Sequence, residues 1–458
     1  MTNWKMFNKN ETTSSYTYRK EITNFTETKI PLTRVSKIIV VKVAFIISII
    51  LSSCASSSNQ PSNKWTLASI YNPLKSSLHP VFKIHHNNTN NSVLFFKIRT
   101  NELFFRENPV NQTETCSFTL KYLLQEVSDE STAIVDSSTY IYELSKADVK
   151  DYYITQIPLK AREGNSYRLK VTVRDNNRKA FDISYHNIEK NTVNAEQYFN
   201  ITTLNGTPLF KNVILNDGVF KINHPKPSSD SLYVSFYHNK VEAPKPLIAP
   251  SSDNYLYKQR DSLFVIHYSS NAAFSLPHEG MYYVQFDTNS NEGLTLLKLN
   301  NDFPKVKEPE GLLPPLSYIT TDAEYKKLLR DGNPKLTADN FWIKAGGSPD
   351  RGRAMIRLYY NRVYFANYYF TNSKPGWKTD QGMVYVVYGP PHKMKKTAFG
   401  ETWIYERKGD DNPITFEFKY APNKYNLNNF ILDRSQNNEW HWTEAVYAWT
   451  SGDIFLYD

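Results

Sequence analysis

The sequence predicts a mainly β chain that ends in an α+β domain, and three patterns carry that prediction. Short runs alternating apolar and polar residues fill most of the chain up to about residue 302. Helical spacing replaces them after a cluster of prolines at 304, 309, 314 and 315. A dense group of Gly, Trp, Thr, Asp and Pro residues then follows the longest helical stretch, ahead of further β-like runs.

Between 73 and 190 the alternating runs lie at 93–98, 118–123, 140–144 and 167–173. Period-two spacing rich in β-branched and aromatic residues is the pattern of half-buried antiparallel strands. It predicts an immunoglobulin-like β-sandwich. A second unit of the same kind is predicted over 191–302, with runs at 199–202, 232–237, 263–268 and 281–286. Pro244, Pro246 and Pro250 must sit in a loop or on an edge, because proline cannot donate to a sheet ladder. Pro277-His278-Glu279-Gly280 reads as the lead-in to a last strand.

The prolines predict a stiff linker over 303–316, and a third domain over 317–458, with helices within 322–371. Thr321 and Glu324 have the spacing of a capping box; Tyr325, Leu328 and Leu329 give that helix an apolar face, and Gly332 with Pro334 stops it. Thr337 is expected to cap a second helix that carries Phe341 and Trp342 and ends at Gly346-Gly347. Ser348-Pro349-Asp350 opens a third, with proline at the first helical position. Its stripe of Met355, Leu358, Tyr359, Val363, Ala366 and Phe370 marks a core-facing side. From 383 onward strands are predicted: Met383 to Tyr388 is apolar on both faces, as an interior strand would be, and Gly389-Pro390-Pro391 ends it.

The N-terminal end carries a different signal. An apolar run at 43–51 is nine residues long, far short of the roughly 20 needed to span a bilayer. Arg34, Lys37 and Lys42 precede it and Leu51-Ser52-Ser53-Cys54 follows, a charged, apolar and small-residue order typical of a secretory signal. The last four residues resemble the lipobox of bacterial lipoproteins, in which the cysteine receives a diacylglycerol and the leader is removed before it. On that resemblance residues 1–53 are a leader, Cys54 is the lipidated residue, and 54–72 form a flexible tether. The expected place is the cell envelope, held to a membrane by acyl chains. Lipoproteins of the Bacteroidetes type use an acidic cluster after the cysteine as a display signal. None follows Cys54, which favours the outer membrane facing the periplasm.

Removal of the leader changes the charge. The whole chain has 54 Lys and Arg against 45 Asp and Glu. Residues 1–53 hold 8 and 3 of these, leaving 46 against 42 and a net charge of +4. Spread over some 400 residues, that gives no footprint for nucleic acid. Cys116 is then the one remaining thiol, so neither an internal disulfide nor a cysteine metal site can form. It lies in an alternating run and is expected to be buried.

Gly376, Trp377, Thr379, Asp380 and Gly382, then Gly389, Pro390 and Pro391, then Trp403 and Tyr405, are the densest motif in the chain. Physically, Pro375-Gly376 ends a helix and Trp377 anchors the turn on the sheet. Thr379 and Asp380 bind free amides of that turn, and Gly382 supplies a backbone angle other residues resist. These residues resemble the GWxTD domain of exported bacterial proteins over about 315–458, with His392 standing where an acidic residue is expected. The resemblance implies a helical segment packed on a small sheet and no established activity. Gly-x-Pro followed by Trp-x-Tyr is also similar to small SmpA/OmlA-type lipoproteins, scaffolds that pack helices on a three-stranded sheet.

No nucleophile–base–orienter pattern, zinc-protease motif or phosphate loop is present. His85 and His86 are neighbours on a β pattern and should face opposite ways. Asp410-Asp411 lies in a turn where calcium would need further ligands. Trp440, Trp442 and Trp449 crowd the tail, as a core lid or as an exposed binding platform. The expected function is therefore a non-enzymatic envelope lipoprotein that binds or scaffolds other envelope proteins, without cofactor, metal or nucleic acid. Two alternatives stand beside it: a glycan or peptidoglycan binder acting through the three tryptophans, and a hydrolase centred on Asp380.

Overall fold

A computed structural model describes residues 67–453, apart from 74–77, 108, 111, 128–131, 216–217, 239–240, 248–258, 271, 407–411 and 436–437. The leader, Cys54, most of the expected tether and the Asp410-Asp411 turn lie outside the described residues.

The first unit holds β1 (Val81–His86), β2 (Ser92–Arg99), β3 (Arg106–Glu107), β4 (Glu114–Val127), β5 (Thr132–Ser145), β6 (Tyr152–Leu159), β7 (Ser166–Asp175) and β8 (Phe181–Glu189). One sheet has the order β1-β2-β6; in the other β4 lies between β5 and β7, β8 joins β7, and β3 pairs with the start of β4. Inward positions of both sheets, Leu94, Phe96 and Ile157 on one and Phe118, Leu120 and Val171 on the other, form a single core. Cys116 is buried in it, and burial pushes its thiol up to about 11. His85 and His86 are hydrogen-bonded in different directions, to the Gln197 carbonyl and to Ser92 with the Glu189 carbonyl.

The second unit holds β9 (Asn200–Thr203), β10 (Val213–Leu215), β11 (Phe220–Asn223), β12 (Ser231–His238), β13 (Ser262–His267), β14 (Ala273–Phe274), β15 (Gly280–Gln285) and β16 (Leu294–Leu299). Its sheets, β10-β16-β15-β12-β13 and β14-β11-β9, enclose Ile201, Phe220, Val234, Tyr282 and Leu296. In both units a tyrosine near the start of a strand bonds back to the chain a few residues upstream. The Tyr167 hydroxyl donates to the Arg162 carbonyl and accepts from its amide, and Tyr282 does the same with His278. All six residues of β15 and of β16 are buried, because the outer face of that sheet packs against Tyr425 of the third domain.

The third domain holds α1 (Asp322–Leu328), α2 (Pro334–Gly346), α3 (Pro349–Phe370), α4 (Asp380–Tyr388), β17 (Lys393–Thr397), β18 (Gly400–Tyr405), β19 (Ile414–Tyr420), β20 (Phe430–Leu432) and α5 (Glu439–Thr450). The sheet is antiparallel and four-stranded in sequence order, one strand more than the SmpA/OmlA likeness implies. Thr321 and Glu324 form the expected reciprocal box, and Ser348 caps α3 with Pro349 at its first position. The cap of α2 is Asn333 and not Thr337, whose hydroxyl instead donates back to the Asn333 carbonyl.

Three expectations are corrected here. The proline segment 303–316 is not a free spacer: Leu313 and Leu316 belong to the core of the third domain. The tether expected over 54–72 is not free throughout, because Leu67–Tyr71 is a 3-10 turn whose Ala68, Ile70 and Tyr71 enter that same core. Met383 to Tyr388 is helical: it forms most of α4, and all nine residues of α4 are buried. A run apolar on every side suits a buried helix as well as an interior strand. No helix among the described residues is long and apolar enough to cross a membrane.

Candidate functional site

The spacing of small and polar residues in the motif is explained by three backbones stacked at close range. The C-terminal turn of α3 lies against the 3-10 turn Gly376–Lys378, which lies against the first turn of α4. A Cβ on Gly376 would stand 2.0 Å from the Ala366 carbonyl oxygen, and one on Gly382 would stand 1.9 Å from that of Gly376. Gly382 is thus required by a neighbour's proximity. The unusual backbone angle expected for it does not occur: the positive φ, +82°, belongs to Gly389, which ends α4.

Polar side chains tie the stack together. Asn367, buried in α3, accepts from the Trp377 amide at 3.1 Å and donates to the Pro304 carbonyl at 3.1 Å. The Thr379 hydroxyl accepts from the Gly382 amide at 2.9 Å and donates to the Gly376 carbonyl at 2.7 Å; it binds a free amide as expected, but that amide belongs to a helix, α4, which it caps. Asp380 does not bind the turn. Its carboxylate accepts from the Leu432 amide of β20 at 2.9 Å and lies 3.7 Å from the Arg434 guanidinium, fastening the start of α4 to the last strand. Trp377 meets the ring of Tyr318 edge-on, and the Tyr318 hydroxyl donates to the Trp377 carbonyl at 2.7 Å. The ring that Trp377 meets belongs to the segment Pro314–Tyr318.

The far end of α4 is closed as carefully. Its last-turn carbonyl at Val387 accepts from the Arg362 guanidinium at 2.6 Å and from the Trp449 indole at 3.0 Å. A cation there also opposes the negative end of the helix dipole. Burial lowers the Arg362 pKa to about 10, and the surrounding Tyr385, Tyr405 and Tyr359 oppose that shift. Tyr405 donates to the Gly389 carbonyl at 2.8 Å. Pro391 is buried and Pro390 partly so. Trp403, fully buried in β18, donates to Glu401 at 2.9 Å, and Glu401 also accepts from Gln381 at 3.0 Å and from the Tyr71 hydroxyl at 3.1 Å. Neither Arg362 nor Glu401 was singled out by sequence. An arginine in the middle of an apolar helical stripe is the signal that would have found the first.

The three tail tryptophans do not form one surface. They lie on α5, where Trp442 and Trp449 are fully buried and Trp440 is 63% exposed. Positions 442 and 449 are seven apart and share a helix face, whereas 440 does not. Among the described residues no group of three His, Cys, Asp or Glu could hold a metal ion.

Comparison with known proteins gives one positive finding. Residues 280–451 match the family model described as the GWxTD domain. The match begins at β15, inside the second β unit, and not near 315 as the motif alone suggested; β15 and β16 are the strands whose outer face the third domain covers. No curated protein matches the chain.

Proposed function

We propose, from the premise that this chain carries a GWxTD domain over 280–451, that it is a membrane-anchored envelope lipoprotein binding other envelope proteins as a non-enzymatic scaffold. The observation that supports this best is the inward use of the motif. Thr379 and Asp380 bond to backbone or to Arg434 within their own domain, and Gly376 and Gly382 serve close packing. Their polar atoms are held for architecture. The anchor is Cys54, and the lack of an acidic cluster after it favours the periplasmic face of the outer membrane. A protein partner is supported by β13, an edge strand among the described residues whose Leu263, Phe264, Val265 and Ile266 are all exposed, since sheet edges accept further strands.

Two experiments test this. Labelled palmitate should appear on the protein and disappear in Cys54→Ser, which should leave the membrane fraction. Affinity purification from solubilised envelopes should recover defined envelope proteins; repeated recovery of none would sink the scaffold role. The hydrolase alternative makes an opposite forecast for Asp380→Asn. With a structural carboxylate, that variant should lose about 1–2 kcal/mol of stability through the weaker bond to Leu432 and the lost attraction to Arg434. An enzymatic activity that vanished at unchanged melting temperature would instead establish the alternative. The glycan platform retains only Trp440 on the surface.

A further inference from the structure

The two β units and the third domain meet around a cavity of about 330 Å³, within the range of small-molecule sites, roughly 300–1,000 Å³. Its wall combines Lys83 from β1, Glu196 and Lys211 from the second unit, Thr295 from β16 and Asn426 from the loop before β20. Rings of Phe199, Phe210 and Tyr369 also face it.

The hydrogen-bonding inventory of that wall is lopsided. Asn426 Nδ2 and Thr295 Oγ1 are buried and have no hydrogen-bond partner among the described residues. Lys83 Nζ donates to the Leu209 carbonyl at 2.8 Å and Lys211 Nζ to the Tyr368 carbonyl at 2.7 Å; an ammonium has two further N–H groups to give. Glu401 accepts from Tyr71, Gln381 and Trp403; Glu196, which accepts from Asn212 at 2.5 Å, is the countercharge of Lys83. Spare donors remain at Asn426, Lys83 and Lys211. The surrounding protein lowers both lysines to about 8, and Lys211 retains exposed surface.

We propose that this cavity binds a small organic anion, whose carboxylate or phosphate oxygens are received by Lys83, Lys211, Asn426 and Thr295 and whose apolar body lies against Phe199, Phe210 and Tyr369. Charge-assisted bonds to an acceptor-rich group complete the donors that the protein leaves over. The proposal does not depend on the lipid anchor or on the scaffold role.

Calorimetric titration of the full chain with 4-phenylbutyrate and with phenyl phosphate, each beside a neutral counterpart (4-phenylbutanamide and phenol), tests it. At least one anion should bind with a Kd below about 1 mM at pH 7, and its neutral counterpart should be about tenfold weaker or more. The carboxylate and phosphate arms show which headgroup is preferred. Asn426→Leu and Lys211→Met should each weaken the anion about tenfold, with the ligand-free melting temperature of Asn426→Leu unchanged. Thr295→Val serves in its place should Asn426→Leu not fold. Absence of binding by both anions, equal binding of anion and neutral counterpart, or wild-type affinity in the variants overturns the proposal.

Discussion

Gly376 and Gly382 set the distance between three pieces of backbone, and a methyl group added to either should be costly. Each carbonyl oxygen opposite lies about 2 Å from where a Cβ would be built, and that oxygen belongs to a peptide unit which cannot rotate away. Overpacking of this kind costs about 1–3 kcal/mol and more where backbone must move. Gly376→Ala and Gly382→Ala should therefore each lower stability by about 3 kcal/mol, read as a shift in urea midpoint at unchanged slope. Gly332→Ala, where a Cβ meets nothing within 4 Å, should stay within about 0.5 kcal/mol of the parent. Equal effects at all three sites would show that the stack is looser than described. The sequence reading found both glycines but gave Gly382 the wrong reason. One chain shows that glycine stands at a position, and not whether its own φ or a neighbour's oxygen demands it. Thr379 was legible because an N-cap acts within three residues; Asp380 was not, because its partner Leu432 lies 52 positions away.

Elements with strong local punctuation were legible, and those defined by what surrounds them were not. The cap Thr321 with Glu324, and the cap Ser348 with Pro349 after it, placed α1 and α3 correctly. Helix α4 reads as a strand in the sequence, since a nine-residue run buried on all sides has no solvent face from which a period could be read. Helix α5 divides its tryptophans by face, so the cost of losing each should divide likewise. Trp442→Ala and Trp449→Ala should each cost about 3–5 kcal/mol, while Trp440→Ala should change stability by about 0.5 kcal/mol or less. Near-equal melting temperatures for the three variants would contradict the placement of the helix. Strand β1 makes a pH-dependent contribution. Burial lowers His85 to about 4 and His86 to about 3, against about 6.5 in the unfolded chain. Between those values the unfolded state binds more protons, so stability is full above pH 6.5 and is lost as pH falls toward 4. Glu196 acts with the opposite sign: burial raises it to about 7, so its contribution is present below its unfolded value and fades as pH rises to 7. The two histidines outweigh it. Denaturant midpoints should fall between pH 7 and pH 5, by on the order of 1–2 kcal/mol for each histidine, and more steeply in Glu196→Gln; a flat profile would exclude buried neutral imidazoles on β1.

The three modules are joined by long polar side chains crossing their seams, by Tyr425 against β15 and β16, and by an apolar insertion that links the two ends of the described chain. Lys83 reaches Leu209, Lys211 reaches Tyr368, Lys378 reaches Val241 and Arg434 reaches Lys245, each by one bond to a backbone carbonyl. Tyr71 is different in kind. Its ring lies 4.9 Å from Phe370 and 5.3 Å from Trp403, its hydroxyl donates to Glu401, and its carbonyl accepts from the Tyr385 hydroxyl at 2.8 Å. A residue just ahead of the first β unit is thus a core residue of the last domain. No local pattern discloses such a pairing, because Tyr385 and Glu401 are 314 and 330 positions away. The dependence can be measured selectively, since Trp342, Trp377, Trp403, Trp440, Trp442 and Trp449 all lie in the third domain and dominate intrinsic fluorescence. Tyr71→Ala should lower the fluorescence-detected midpoint by about 3–5 kcal/mol, as loss of a buried aromatic does. A chain begun at residue 67 should melt with the parent, whereas one begun at residue 73 should melt as low as Tyr71→Ala or lower, because it also loses Ala68 and Ile70. Matching midpoints for the chains begun at 67 and 73 would mean that the third domain closes its core without the N-terminal segment, and that the two ends of the molecule are mechanically independent.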